Sequence, residues 1–365
     1  MSRRSKAGRL NRHGRRRLAL RLLLIVLLLL GLGVGLYQLW DPELLPANRP
    51  AAVWYDEQHV SKALVHFPRD DAPHDNLTEW WYYNGHLHTT DGRRYSFHVA
   101  LFLIDRLARF TVLHVSVLDH QTGRHFTLQQ RTAGTPGTPV SGGIDFALGT
   151  WRIAGADGRD RIDIETPEFT LALDLVSTTP PILHGETGLL DFEHAGSSYY
   201  YSRPRMSATG RAGPAGAVQP VEGLVWFDHQ WGDFSVRAMG WNWFALQLDD
   251  GRDIMLFELF TPDGKRLVHY GTVSRQDVLH TLGAEDFETR PTGRWRSPAT
   301  GVVFPMGWTL EIPSLGIDLA LQPVSESCEF DGRQSSYMIY WEGPIRISGS
   351  QTGKGFVELS GYGQH

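Results

Sequence analysis

Cysteine is almost absent: Cys328 is the only one in 365 residues. A single cysteine excludes an intrachain disulfide framework, a cysteine-built metal site and a lipoprotein attachment cysteine near the N-terminus. Nucleotide-binding glycine motifs are missing too. The run GSQTGK at 349–354 is one residue short of a phosphate-binding loop and lacks the Ser or Thr that should follow. Positive charge is scarce after the first 21 residues. Nine of the 35 Lys and Arg lie in residues 1–21, so 35 − 9 leaves 26 bases against 40 acids. A nucleic-acid binder shows the opposite balance. Amphipathic helical periodicity is also lacking beyond the N-terminus, whereas glycine (39 residues) and aromatics (11%) are plentiful. That composition leans towards turn-rich β structure.

The basic arm, residues 1–21, is followed by LLLIVLLLLGLGVGLY at 22–37, an uncharged run that reaches Trp40. About 20 apolar residues cross a bilayer as a helix. Arg21 can snorkel to the cytoplasmic headgroups, and Tyr37 and Trp40 suit the opposite interface. The expectation is a transmembrane anchor over 22–40 in the inner membrane, with the N-terminus inside, a linker at 41–60 and the remainder on the periplasmic side. A cleaved signal peptide is the rival reading, although no A-x-A-like site directly follows the run.

The triplet D-G-[RK] occurs five times, at 91–93, 157–159, 250–252, 263–265 and 331–333. Asp-Gly between alternating segments predicts type I′ hairpin turns and hence an all-β meander. The halves of the chain resemble each other. The stretches 79–102, 164–177 and 200–210 match 241–260, 310–324 and 340–350 in the same order, which indicates a tandem duplication. The Gly/Ala/Pro-rich segment 207–220 reads as the linker, giving domains at 61–220 and 221–365. Each half has room for roughly eight strands, enough to close as a barrel around packed side chains or one small ligand. A two-sheet sandwich per half is the alternative.

The motifs EWWYYNGHL (79–87), WFDHQWGDF (226–234), LDDGRDIMLFEL (248–259) and YWEGPIRISG with GFVELSGYG (340–363) resemble the lipocalin-like family that includes carotenoid 1,2-hydratases and AttH-type proteins. The resemblance covers most of residues 60–365. It implies two tandem lipocalin-like β-barrels and, in some members, cofactor-free chemistry on isoprenoid or polyketide-like molecules. Other members are implied to serve beside transporters.

Successive side chains of a strand point to opposite faces. Phe227, His229 and Trp231 therefore share one face of the aromatic stretch, and Trp226, Asp228 and Gln230 share the other. Asp228 joins His229 in one lumen only across a bulge; otherwise it holds a turn or reaches the interface between the barrels. Hydrating an alkene requires a proton donor, a surface that stabilises a carbocation, and a water. A carboxylic acid in an apolar wall stays protonated and can donate, and aromatic faces stabilise a cation. No cofactor is needed. The candidate catalytic residues are Asp228, His229, Trp231 and Glu258, the family resemblance contributing the His-x-Trp pair. Either Asp228 or Glu258 is the acid. Candidate ligand-binding residues are Glu79, Trp81, Tyr82, Trp226, Trp243 and Tyr340. His86-x-His88 suggests a metal, but a two-residue turn at Asp91-Gly92 would pair His88 with Tyr95 and send His98 to the opposite face. No metal set converges.

The sequence is thus expected to encode a membrane-tethered protein that hydrates, or simply binds, a hydrophobic isoprenoid or lipid-like molecule. The alternatives are a non-catalytic lipid or lipoprotein carrier serving a membrane transporter, and a fully packed adaptor.

Overall fold

The computed structural model describes residues 63–185, 187–192, 196–234, 239–276 and 278–363. The expected anchor at 22–40 lies outside them. Among the described residues no helix is long and apolar enough to cross a membrane.

The first sheet contains β1 (Thr78–His88), β2 (Arg94–Asp105), β3 (Arg109–Asp119), β4 (His125–Ala133), β5 (Ile144–Leu148), β6 (Trp151–Ala156), β7 (Arg159–Glu165), β8 (Phe169–Ser177), β9 (Ile182–Leu183), β10 (Leu189–Asp191), β11 (Ser197–Pro214) and β12 (Gln219–Gly232). The second contains β13 (Gly240–Leu248), β14 (Asp253–Phe260), β15 (Arg266–Arg275), β16 (Val278–Leu282), β17 (Glu288–Arg296), β18 (Val303–Ile312), β19 (Ile317–Pro323), β20 (Glu329–Gly332), β21 (Met338–Gly349) and β22 (Gly353–Ser360). The strand orders are β4-β3-β2-β1-β12-β11-β8-β7-β6-β5 and β16-β15-β14-β13-β22-β21-β19-β18-β17. The two orders correspond strand for strand over most of their length, as the three repeated sequence segments anticipate. All described pairings are antiparallel, and each sheet curls around its own apolar interior.

Two expectations need correction. The segment 207–220 is not a linker. Its first part belongs to β11, and its end opens β12, which pairs with β1 and so completes the first sheet. Its small residues reflect close strand approach: a Cβ on Gly210 would lie 2.1 Å from the Ala172 carbonyl oxygen.

The turns at Asp91-Gly92, Asp250-Gly251 and Asp263-Gly264 are not two-residue type I′ turns. In each, the glycine N–H bonds back three residues and the flanking pair closes around a three-residue loop: Gly92 N–H to Thr89 O, and Thr89 N–H to Arg93 O. The glycine takes the left-handed conformation, φ 86° at Gly92, as in a type I turn with a bulge. That extra residue shifts the register by one. His88 sits opposite Arg94, His86 opposite Ser96 and Asn84 opposite His98. A one-residue slip reverses facing, so His98 shares the face of His86 instead of opposing it. The expected type I′ geometry fits only Asp157-Gly158, where both residues have positive φ. Asp331-Gly332 ends β20, and a longer turn follows.

Strand alternation produces three layers. The interior of the first sheet holds Trp81, Tyr83, Phe227 and Trp231. The interior of the second holds Phe244, Leu256, Trp308 and Trp341. Between the sheets, the outward faces of β1, β11 and β12 meet those of β13, β14 and β22 through Tyr82, Tyr200, Trp226, Trp243, Phe257 and Phe356. Burying one such side chain contributes about 1.5–3 kcal/mol. The sheet faces that would otherwise carry polar residues are therefore apolar here.

Candidate functional site

β12 runs without a bulge between residues 225 and 232, so the alternation expected of the aromatic stretch holds. Phe227, His229 and Trp231 face the first interior. Trp226 and Asp228 face the layer between the sheets. The candidate residues therefore fall into three separate groups.

The richest group lies between the sheets. Asp228 is buried and accepts hydrogen bonds from Trp226 Nε1 (2.7 Å), Tyr200 Oη (2.7 Å) and the Ser202 hydroxyl. Tyr200 in turn accepts from Trp243 Nε1 at 3.0 Å, which ties the two sheets together. Burial pushes the Asp228 carboxyl up to about 7, against the pull of its three donors. Tyr82, opposite Asp228 on β1, donates across the layer to Glu342 of β21. Glu342 faces Glu358 across the β21–β22 ladder. Burial, reinforced by the charge of Glu358, drives Glu342 well above the usual carboxylate range. Burial also lifts Glu358 to about 7, helped by Asp228 and opposed by Trp241. Glu358 is not fully covered, and neither are Trp80, Phe102, Trp241 and Tyr270 around this layer.

A chain of polar contacts leads outward from Glu342. His98 Nδ1 lies 3.2 Å from Glu342 Oε2 without forming a well-directed hydrogen bond. His98 Nε2 meets Tyr340 Oη at 3.3 Å, Tyr340 meets His114 Nδ1 at 2.9 Å, and His114 Nε2 meets Ser335 Oγ at 2.8 Å. Ser335 contacts the half-buried Gln129 at 2.8 Å. Burial keeps both imidazoles neutral, with His114 at about 3 and His98 well below its ordinary value.

The second group lines the first interior. Glu79 Oε1 takes contacts from His229 Nε2 (2.8 Å) and His74 Nδ1 (2.7 Å), and Glu79 Oε2 takes the His74 backbone N–H (2.8 Å). Trp231 stacks on His74 at 4.1 Å, and Trp81 stacks on His229 at 4.6 Å. Burial alone would raise the Glu79 carboxyl, but the bonds from His229 and His74 outweigh it and hold it low. Deeper in the same interior, a void of about 10 Å³ is lined by Asp71, Tyr83, Asp160 and Arg203. That is room for roughly one water.

Glu258 stands apart. It faces the second interior, where Asn242 Nδ2 (2.9 Å), Thr289 Oγ1 (2.7 Å) and His269 Nε2 (3.3 Å) surround it. Burial raises its carboxyl, yet these bonds prevail and keep it below the ordinary value. An acid held ionised is a poor proton donor. Glu258 shares no contact with Asp228, His229 or Trp231.

Of the candidates, Tyr82, Trp226, Asp228, Trp243 and Tyr340 converge between the sheets, whereas Glu79, Trp81, His229 and Trp231 converge in the first interior. Glu342, Glu358, Tyr200, His98 and His114 were missed. Acids in otherwise aromatic or apolar strands, YWEGP and GFVELS, were the available signal. His74 lies in a loop, where no periodicity marks it. His86 bonds Ser96 Oγ at 2.9 Å and His88 contacts Glu222 at 3.1 Å.

The AttH-like family model matches residues 58–362. The chain belongs to the AttH-like family. A crystal structure of a Nitrosomonas europaea protein described as AttH superposes with a TM-score of 0.76 at 28% identity, over 83% of this chain and 98% of that one. Kievitone hydratase from Nectria haematococca superposes with a TM-score of 0.69 at 20% identity, over 83% and 94%. Dehydratase asqC of Emericella nidulans is 23% identical over 214 residues, 56% of this chain. The match spans 59% of the dehydratase's own length. These likenesses agree with a lipocalin-like fold and with the two curled sheets.

Proposed function

We propose that this AttH-like chain is a cofactor-free hydratase or dehydratase acting on an alkene-bearing hydrophobic molecule of isoprenoid or lipid-like class. The observation that carries the reading is the inter-sheet group, in which one carboxyl is held neutral beside others poised near neutrality. Acid and base roles follow from environments that push neighbouring carboxyls apart. Glu342, the neutral acid, donates its proton to an alkene carbon. Tyr82, Trp226, Trp241 and Trp243 offer π-faces to the cation that forms. Glu358, the less covered acid, takes a proton from water as the water oxygen bonds to the cationic carbon. Asp228, saturated by three donors, positions Tyr200 and Trp226. The proton then carried by Glu358 returns to Glu342, its neighbour across the β21–β22 ladder, which resets both acids. Dehydration is the same sequence reversed, consistent with one relative named a hydratase and another a dehydratase. An anchor at 22–40 would hold the sheets at the bilayer surface, where such substrates dissolve.

The test is incubation of the full chain, in detergent, with lipid extract of its host in heavy-oxygen water. The proposal expects an isoprenoid or lipid product carrying one labelled hydroxyl, lost in Glu342→Gln and retained in Glu258→Gln. Equal labelling by wild type and Glu342→Gln overturns it. A bound lipid that is never converted favours the carrier.

A further inference from the structure

With neutral imidazoles the proton inventory of the first interior does not close. Tyr201 has one hydroxyl hydrogen and directs it to Asp71. Its oxygen also accepts from Arg203 Nη1 at 3.2 Å, so towards His229 Nδ1, 3.4 Å away, it can act only as an acceptor. A neutral His229 either donates from Nε2 to Glu79 Oε1, 2.8 Å away, and leaves Nδ1 bare towards Tyr201, or donates from Nδ1 and leaves Nε2 bare towards Glu79. His74 repeats the pattern: Nε2 lies 3.6 Å from Asp70 Oδ1, and Nδ1 points at the same Glu79 oxygen. The charges do not close either. Asp70 pairs with Arg69 and Asp71 with Arg203, but Glu79 is met by two imidazoles and no guanidinium. Glu79 and His229 are both fully buried. A cation held by the three groups, either a proton on an imidazole or a metal ion, resolves both deficits, and titration with metal distinguishes the two.

We propose that His74, Glu79 and His229 form a binding site for a zinc-class divalent cation, independent of the inter-sheet chemistry. Their ligand atoms lie within 4.8 Å of one another. Two histidines and a carboxylate are a common zinc donor set that leaves a fourth position for water or substrate. Binding at about 2.0–2.1 Å would place the ligand atoms roughly 3.3 Å apart. This requires the present 2.7 and 2.8 Å contacts to open by about half an ångström. The supporting shell has the arrangement metal-bound imidazoles need, each outer nitrogen facing an oxygen acceptor, Asp70 or Tyr201. Trp231 and Trp81, stacked on the two rings, exclude water from the flanks. His74, whose side chain is 21% exposed, marks the entrance.

The test uses untagged full-length chain, stripped with a chelator and titrated with zinc by calorimetry and with cobalt by visible absorption. One saturable site per chain is expected, with visible bands of low-symmetry cobalt. His74→Ala, a loop substitution that leaves both sheets intact, should weaken zinc by about tenfold or more. Glu79→Gln should abolish binding, and a His86→Ala, His88→Ala double variant should bind as wild type. Absence of saturable binding, or binding unchanged in His74→Ala, overturns the assignment.

Discussion

Tyr82 of the first sheet donates its phenolic hydrogen to Glu342 of the second, 260 residues away in sequence. This bond crosses the layer where outward faces of both sheets meet. It lowers the Glu342 carboxyl against the upward push of burial and of Glu358. Removing it should therefore leave Glu342 still more firmly protonated. Tyr82→Phe is predicted to retain the acid and shift its infrared titration to higher pH. A shift to lower pH contradicts the assignment.

Stability should depend on pH in a defined direction. Asp228 and Glu358 sit near 7 in the folded chain, against ordinary values of 3.8 and 4.5. Between those limits the folded chain holds more protons than the unfolded one, so stability falls as pH rises and levels off above the folded value. Asp228→Asn removes one of these protons from the balance. Its stability should fall less than that of wild type between about pH 5 and about pH 8, measured by urea denaturation at both. An equal or steeper fall counts against the prediction.

Arg203 and Asp71 form a buried ion pair at 2.9 Å in the first interior, both side chains nearly inaccessible. Replacing only the arginine leaves Asp71 uncompensated, and breaking such a pair costs about 3–5 kcal/mol. Arg203→Met should lower the unfolding free energy by that amount. A loss under about 1 kcal/mol would mean that Asp71 is neutralised some other way.

Glu258 and Glu342 make a discriminating pair. Three polar partners hold the Glu258 carboxyl below its ordinary value, whereas burial in an aromatic layer drives that of Glu342 well above it. Glu342→Gln is predicted to reduce turnover by at least about a hundredfold, the usual range for a lost general acid. Glu258→Gln should change it by less than about tenfold. The reverse ranking places the chemistry in the second interior.

Much of this architecture is legible in the sequence. Alternation alone assigns Trp226 and Asp228 to one face of β12 and His229 and Trp231 to the other, because no bulge intervenes. The repeated segments anticipate the matching strand orders. What fails is local or long-range. Three of the Asp-Gly turns carry one more loop residue than their dipeptide suggests, and the one at Asp91-Gly92 slips the β1–β2 register and reverses His98. The glycine-rich end of β11 reads as a linker because small residues signal flexibility in one sequence, whereas here they permit close strand approach. Glu342 and Glu358 pass unnoticed because an acid in an aromatic strand looks equally like a surface residue. Only the packing of a second sheet over it reveals the burial. His74 reaches Glu79 and His229 from a loop, a meeting no strand periodicity encodes.

The central claim, a carboxyl kept neutral between the sheets, is tested most directly by infrared titration of the full chain beside Glu342→Gln. Asp228 and Glu358 titrate near 7, so the decisive range lies above the pH at which they lose their protons. There the account predicts a protonated-carboxyl band in wild type that is absent from the variant. A wild-type chain with no such band in that range, or a band that survives there unchanged in Glu342→Gln, contradicts it.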